Sequence, residues 1–122
     1  MRAVVDTNVL IDYLQGREEA AREFDRYGVI EVSAISAAEL WSGATTEARE
    51  RVVEALLATC AIVPVDDDVA REAGWLRRTR RVRLPDALVW ATARIRGHLL
   101  VTRDEGFPAD APEVRHPYRL EP

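Results

Sequence analysis

AVVDTNVLID (residues 3–12) begins as an apolar run, Ala3-Val4-Val5, meets a carboxylate at Asp6, and continues as Thr7-Asn8-Val9-Leu10-Ile11-Asp12. Residues 2–6 read as a buried strand. Val9, Leu10, Tyr13 and Leu14 then recur at helical spacing until Gly16 stops them. A strand that turns directly into a helix is how an open α/β sheet starts. Asp6 therefore falls at the carboxyl end of the first strand, where such sheets keep their ligands. An acid ending a buried strand is costly without a partner, so this position asks for a chemical explanation.

The rest of the chain alternates in the same way. A helix over about 18–27 turns Ala20, Phe24 and Tyr27 to one side, and Val29-Ile30-Glu31-Val32-Ser33 reads as the next strand. Ser36 is expected to open a helix carrying Ala37, Leu40, Trp41 and Ala44 inward. Another, about 46–58, buries Ala48, Val52, Val53, Leu56 and Leu57. After a short strand at 61–65, Asp66-Asp67-Asp68 starts a helix with Val69, Ala73 and Leu76 inside. Pro85 and Asp86 open a further helix with Leu88, Ala91, Thr92 and Ile95 on one stripe, ended by Gly97. His98–Thr102 is a strand, 105–113 a loop rich in Pro, Gly and Asp, and 114–116 an edge strand. Trp41 is expected inside, Trp75 and Trp90 at the margins of the core. The sum is one α/β domain over 1–122, with a mostly parallel sheet of four to five strands flanked by helices.

Bulk properties narrow the classes. Hydrophobic content of 48% with 31% charged residues is ordinary for a globular domain. No apolar stretch approaches the ~20 residues of a membrane span, and the first strand leaves no room for a signal peptide, so a cytoplasmic setting is expected. Cys60, the single cysteine, reads as a buried and inert thiol. The net charge of −4 argues against a polyanionic partner until the acids are set aside as cation ligands. All 17 basic residues are arginine, the side chain suited to bidentate phosphate contacts, although a compositional bias explains the excess equally well.

Three more acids share Asp6's kind of setting: Glu39, Asp86 and Asp104. A helix over 86–96 runs ~16 Å away from Asp86, and the strand 99–103 returns ~16 Å, so Asp86 and Asp104 reach the pole of Asp6. Ser33 ends its strand at that pole, and Glu39 follows in the next helix. Two carboxylates ~5 Å apart repel by roughly 3 kcal/mol at an effective dielectric of 20. Four together call for protonation, splaying or a cation. Oxygen-only ligands select Mg²⁺ or Mn²⁺ over zinc. Each acid also has a plainer reading: Ser36-x-x-Glu39 is a capping box, Asp86 complements a helix dipole, Asp104 makes an Asx-turn. Asp12 reads as a solvated residue or a support for the site, and Asp66–Asp68 as a helix start.

VVDTNVLID (4–12), SAAEL (36–40), LPDALVWATA (84–93) and LLVTRDEGF (99–107) together resemble the PIN-domain ribonucleases, and among them the VapC-type toxins of toxin–antitoxin pairs. The resemblance spans nearly the whole chain. It implies an acidic quartet of Asp6, Glu39, Asp86 and Asp104, with Asp6, Asp86 and Asp104 on Mg²⁺ (or Mn²⁺) and Asn8 and Thr102 beside them. It further implies metal-assisted hydrolysis of RNA, a small VapB-like antitoxin and a homodimer. Two positions depart from the pattern: Gly106 stands where many relatives keep an acid, and Trp90 where a small residue is common.

Arg77, Arg78, Arg80, Arg81 and Arg83 form a run without an intervening acid just before Asp86, placed to meet backbone phosphates; Arg103 is a further candidate. The plainer reading is a helix end that favours cations. Other folds fall away. A receiver domain needs a lysine near its last strand, and a haloacid-dehalogenase-type phosphatase needs Asp where Asn8 stands. A metal-independent ribonuclease using His98 or His116, a non-toxin RNA-processing PIN nuclease and a silent RNA- or antitoxin-binding module remain as alternatives.

Overall fold

The computed structural model describes residues 1–120. Five strands form one sheet: β1 (Arg2–Val5), β2 (Val29–Ser33), β3 (Ala61–Val63), β4 (Leu99–Val101) and β5 (Val114–Arg115). Their order is β3-β2-β1-β4-β5 and every pairing is parallel, including the edge strand β5. Chain order reverses between β1 and β4, which makes the crevice beyond their carboxyl ends the ligand-binding place of this topology.

Alternation along β1 sorts the core into two halves. Ala3 and Val5 face a cluster with Ile30, Val32 and Val101 under α1 (Thr7–Leu14), α2 (Glu18–Phe24), α3 (Ala34–Gly43) and α4 (Glu47–Ala58). Val4 faces the other way, with Leu100 and Val114, under α5 (Asp67–Arg80) and α6 (Leu84–Arg96). Trp90 on α6 is completely buried in that second half, edge-on to Phe107, and its indole N–H donates to Glu113 at 2.9 Å. No described helix is long and apolar enough to cross a membrane.

Helix phase is where the sequence reading departs from the fold. Helix α3 starts three residues earlier than expected, capped by Ser33 rather than Ser36, the Ser33 hydroxyl accepting from the Ile35 N–H at 3.1 Å. Ser36 therefore lies inside the helix, fully buried and without a hydrogen-bond partner, and the Ser36–Glu39 capping box does not form. The buried stripe of α3 runs through Ser36, Ala37 and Leu40, which leaves Trp41 at 43% exposure, while Trp90, expected at the margin, has none. Ala48, Val52 and Ile95 also face solvent. Helix α2 ends at Phe24 and β3 at Val63, both shorter than expected. Asp66 does cap α5, accepting from Val69 N–H at 2.9 Å, and Gly97 closes α6 at φ 70°. Cys60 is half-buried, and burial pushes its thiol up from its ordinary value.

The displaced cap is testable. Ser33→Ala should cost about 1 kcal/mol, as loss of a working cap does. Ser36→Ala should cost nothing or stabilise, because it removes a hydroxyl that has no partner. Paired urea melts separate the two, and an equal loss at both positions would contradict the assignment.

Candidate active site

Asp6 is the first residue past β1. Its N–H still follows the ladder, donating to Val101 O at 2.9 Å, while its side chain caps α1 by accepting from Thr7 N–H at 2.8 Å. The other carboxylate oxygen accepts from the Thr102 hydroxyl at 2.8 Å. Only 7% of Asp6 is exposed. Burial raises its pKa to about 6, opposed by the hydrogen bonds from Thr102 and Thr7 and reinforced by the charges of Asp86 and Glu39.

Thr102, the residue after β4, is fully buried and joins two of the acids. Its oxygen donates to Asp6 and accepts from the Asp104 N–H at 3.0 Å. Asn8 reaches the same point: its amide N–H approaches both Asp6 and Thr102 at 3.5 Å, and its oxygen accepts from Arg103 N–H at 3.1 Å. Both polar neighbours expected from the sequence are thus in contact with Asp6.

Asp86 sits in the first turn of α6, where burial raises its pKa, followed by repulsion from Asp104; Arg83 lowers it and Glu39 raises it. Asp104 folds into an Asx-turn, its carboxylate accepting from Gly106 N–H at 2.8 Å. A Cβ at residue 106 would come to 3.0 Å from that carboxylate oxygen, so a larger side chain there requires Asp104 to shift by a few tenths of an ångström. Glu39 is exposed on the second turn of α3 and accepts from the Thr7 hydroxyl at 2.7 Å. The four acids therefore stand at one end of the sheet, where Asp86 and Glu39 bear on Asp6, and Asp104 and Glu39 bear on Asp86. They stand splayed, with Asp6, Glu39 and Asp104 each held by donors of its own, and among the described residues no three close on a single metal-binding point.

The arginines divide. Arg77, Arg81 and Arg83 line a groove of about 520 Å³ with Val82, Leu84 and Pro85, directly before Asp86. Arg81 ends α5 at φ 57°, in the left-handed region that favours glycine, so an arginine is kept there at a cost of roughly 1–2 kcal/mol. Arg78 is exposed, whereas Arg80 is engaged by Asp110 at 3.1 Å and lies 5.3 Å over Trp90. Arg103 differs most from expectation: its guanidinium is bound to Asp12 at 2.6 and 3.1 Å rather than offered to solvent. Of the two readings of Asp12, solvated or a support for the site, the buried one holds: it is 2% exposed and also accepts from the Tyr118 hydroxyl at 2.7 Å.

Sequence reading passed over Thr7 and Tyr118, and weighed His116 only as an acid–base residue of a metal-independent enzyme; all three touch the site or its supports. Thr7 follows Asp6 in the opening motif, but its partner is 32 residues away. The histidines do not meet. His98, at the amino end of β4, is bound to the buried Glu31, whereas His116 lies past β5 and donates to Asp104 O at 3.0 Å.

Residues 3–111 match the family described as PIN domain. Ribonuclease VapC10 of Mycobacterium tuberculosis is 38% identical over 108 residues, 81% of this chain and 80% of the relative. A toxin–antitoxin complex from Klebsiella pneumoniae superposes with a TM-score of 0.90 at 33% identity, covering 97% of this chain and 99% of that one. The DNA-bound VapBC of Salmonella typhimurium follows at a TM-score of 0.78 and 25% identity, covering 94% and 96%. With an unbroken parallel sheet and acids at its topological switch point, the chain belongs to the PIN-domain family, among its VapC-type members.

Proposed function

We propose that the chain is an endoribonuclease dependent on Mg²⁺ or Mn²⁺, the toxin of a toxin–antitoxin pair, with Asp6, Glu39, Asp86 and Asp104 as its catalytic acids. The observation that carries this reading is the meeting of those carboxylates at the switch point of the sheet, where burial first, and the neighbouring acids after it, raise Asp6 to about 6 and Asp86 above its ordinary value. The donor set fits a hard divalent cation: it is oxygen only, and Arg83 is the one cation that eases it. When bound, such a cation supplies an acidified water and charge neutralisation on the phosphoryl oxygens.

The chain's own residues do the rest. Asp6, Asp86 and Asp104 offer the ligating oxygens. Thr102 and Asn8 hold Asp6 in one orientation, and Glu39, steadied by Thr7, serves to orient the attacking water or take its proton. The Arg77–Arg81–Arg83 groove receives the RNA backbone, with Arg78 as a more distant contact. A small antitoxin as partner is supported by the toxin–antitoxin complex from Klebsiella pneumoniae. Trp41 and Ile11, exposed on the neighbouring helices α3 and α1, offer apolar surface for it. Homodimer formation and a cytosolic setting complete the proposal.

Purified chain should cut a mixed cellular RNA pool in Mn²⁺ and stop in EDTA, leaving 5′-phosphate and 3′-hydroxyl ends. Cutting that persists in EDTA and leaves a cyclic phosphate would sink the carboxylate mechanism. The groove has its own test. Arg77→Glu with Arg81→Glu should raise KM for RNA tenfold or more and flatten its salt dependence, since each lost phosphate contact removes about one unit of slope. An unchanged KM would remove these arginines from the substrate path.

A further inference from the structure

β5 and the residues that follow it, 116–119, are tied to the rest of the fold at several points. Arg115 is fixed to α2 through Glu23 at 2.7 and 3.0 Å, and its carbonyl accepts from Thr102 N–H at 3.0 Å. His116 donates to Asp104 O at 3.0 Å. Tyr118 donates to Asp12 at 2.7 Å, the same buried carboxylate that grips the Arg103 guanidinium. Arg119 meets Glu105 at 2.9 Å, an exposed pair of little energetic weight. This strap lies beyond residue 111, where the match to the PIN family ends.

These contacts fall on the one stretch that carries the fourth acid. Arg103 N–H is taken by Asn8, Asp104 N–H by Thr102, Asp104 O by His116, and the Arg103 side chain by Asp12. Without the strap, Asp104 O keeps only the 3.2 Å bond from Phe107 N–H within its own turn, Asp12 loses one donor, and the loop is anchored by Asn8 and Asp12 of α1 and by Thr102. Asp12 has 2% exposure, so the carboxylate relies on its partners: Arg103 and Tyr118 at hydrogen-bond distance, with Arg17 at 4.0 Å. We propose that His116 and Tyr118 are positioning residues: through Asp104 O and through Asp12–Arg103 they set the placement of the Asp104 carboxylate for the cation. This rests on the nuclease reading above for its consequence in catalysis, though not for its geometry.

The test uses Tyr118→Phe, His116→Ala and the double variant in the full chain, with three readouts. Hydrogen exchange by NMR follows the Asp104 and Gly106 amides, calorimetry gives Mn²⁺ affinity without RNA, and steady-state cleavage separates kcat from KM. Exchange at both amides should quicken by tenfold or more in the double variant. Mn²⁺ affinity and kcat should each fall three- to tenfold, with KM for RNA unchanged. A tail that merely stabilises the fold predicts something else: a lower melting temperature with amide exchange at 104 and 106, Mn²⁺ affinity and kcat all within twofold of the parent. That result overturns the proposal. Should the parent chain neither bind Mn²⁺ nor cut RNA, the nuclease reading falls by itself, and the exchange rates still decide whether the strap holds the loop.

Discussion

Asp6→Asn is expected to abolish RNA cleavage while making the metal-free chain more stable. Both effects come from one carboxylate. In the fold Asp6 is nearly buried, with a pKa of about 6 against an ordinary 3.8. A raised acid binds protons more tightly folded than unfolded, so its penalty is absent below about pH 4, grows between pH 4 and 6, and is full above 6. A rise of that size corresponds to roughly 2–3 kcal/mol at neutral pH. Asparagine keeps the helix cap and the shape while removing the charge. Urea melts in EDTA should therefore show the variant ahead by that order at pH 7.5 and level with the parent near pH 4. Adding Mn²⁺ at a hundred times its Kd should stabilise the parent by about 2.7 kcal/mol and leave the variant unmoved. Equal stability at both pH values would mean that Asp6 is not under the load its surroundings imply.

Arg96→Ala is expected to be among the most damaging single changes away from the cleft, costing about 3–5 kcal/mol and on the order of 10 °C in melting temperature. Its partner, Glu31, lies in the middle of β2 with no exposure, and accepts from Arg96 at 3.0 and 2.8 Å. His98 binds the other oxygen, and Arg2 stands 3.8 Å away. Removing Arg96 strands a buried carboxylate on what remains. Adding Glu31→Leu to Arg96→Ala should recover most of the loss, because an apolar residue suits that face of the sheet. Cleavage should persist in folded protein throughout, since the cluster sits at the opposite end of β4 from Asp104. A loss below 1 kcal/mol for Arg96→Ala would mean that solvent reaches Glu31.

How legible these features are from sequence differs for physical reasons. Asp6, Asp86 and Asp104 announce themselves because strand ends and helix starts are local, and the travel of α6 and β4 matches whatever packs around them. Asp66 and Gly97 are legible for the same reason: a cap needs only its own turn. Helix α3 misleads because Ser33 and Ser36 both precede an apolar stretch, and Ser36 happens to stand three residues before Glu39. Sequence spacing does not say which hydroxyl faces the first turn. Trp41 is misplaced separately, because the stripe that faces the core takes in Ser36, Ala37 and Leu40 and leaves position 41 outside it. Trp90 hides the opposite way, because its burial depends on Phe107 and Glu113 arriving from the loop after β4. Glu31 interrupts an apolar strand without warning, since its partners come from the far end of α6 and the start of β4. Arg103 looks free for RNA until Asp12, 91 residues earlier, is seen to hold it. Long-range polar pairs of this kind leave no periodic signal.

Closure of the four acids on one cation can be seen directly. Crystals of the purified chain grown with Mn²⁺ should show an anomalous peak bounded by Asp6, Asp86 and Asp104, with Glu39 beside it. The same experiment on Asp86→Asn should show the peak lost or weakened. Manganese bound elsewhere, or a cleft left empty at saturating Mn²⁺ with the acids still splayed, would refute a shared metal site.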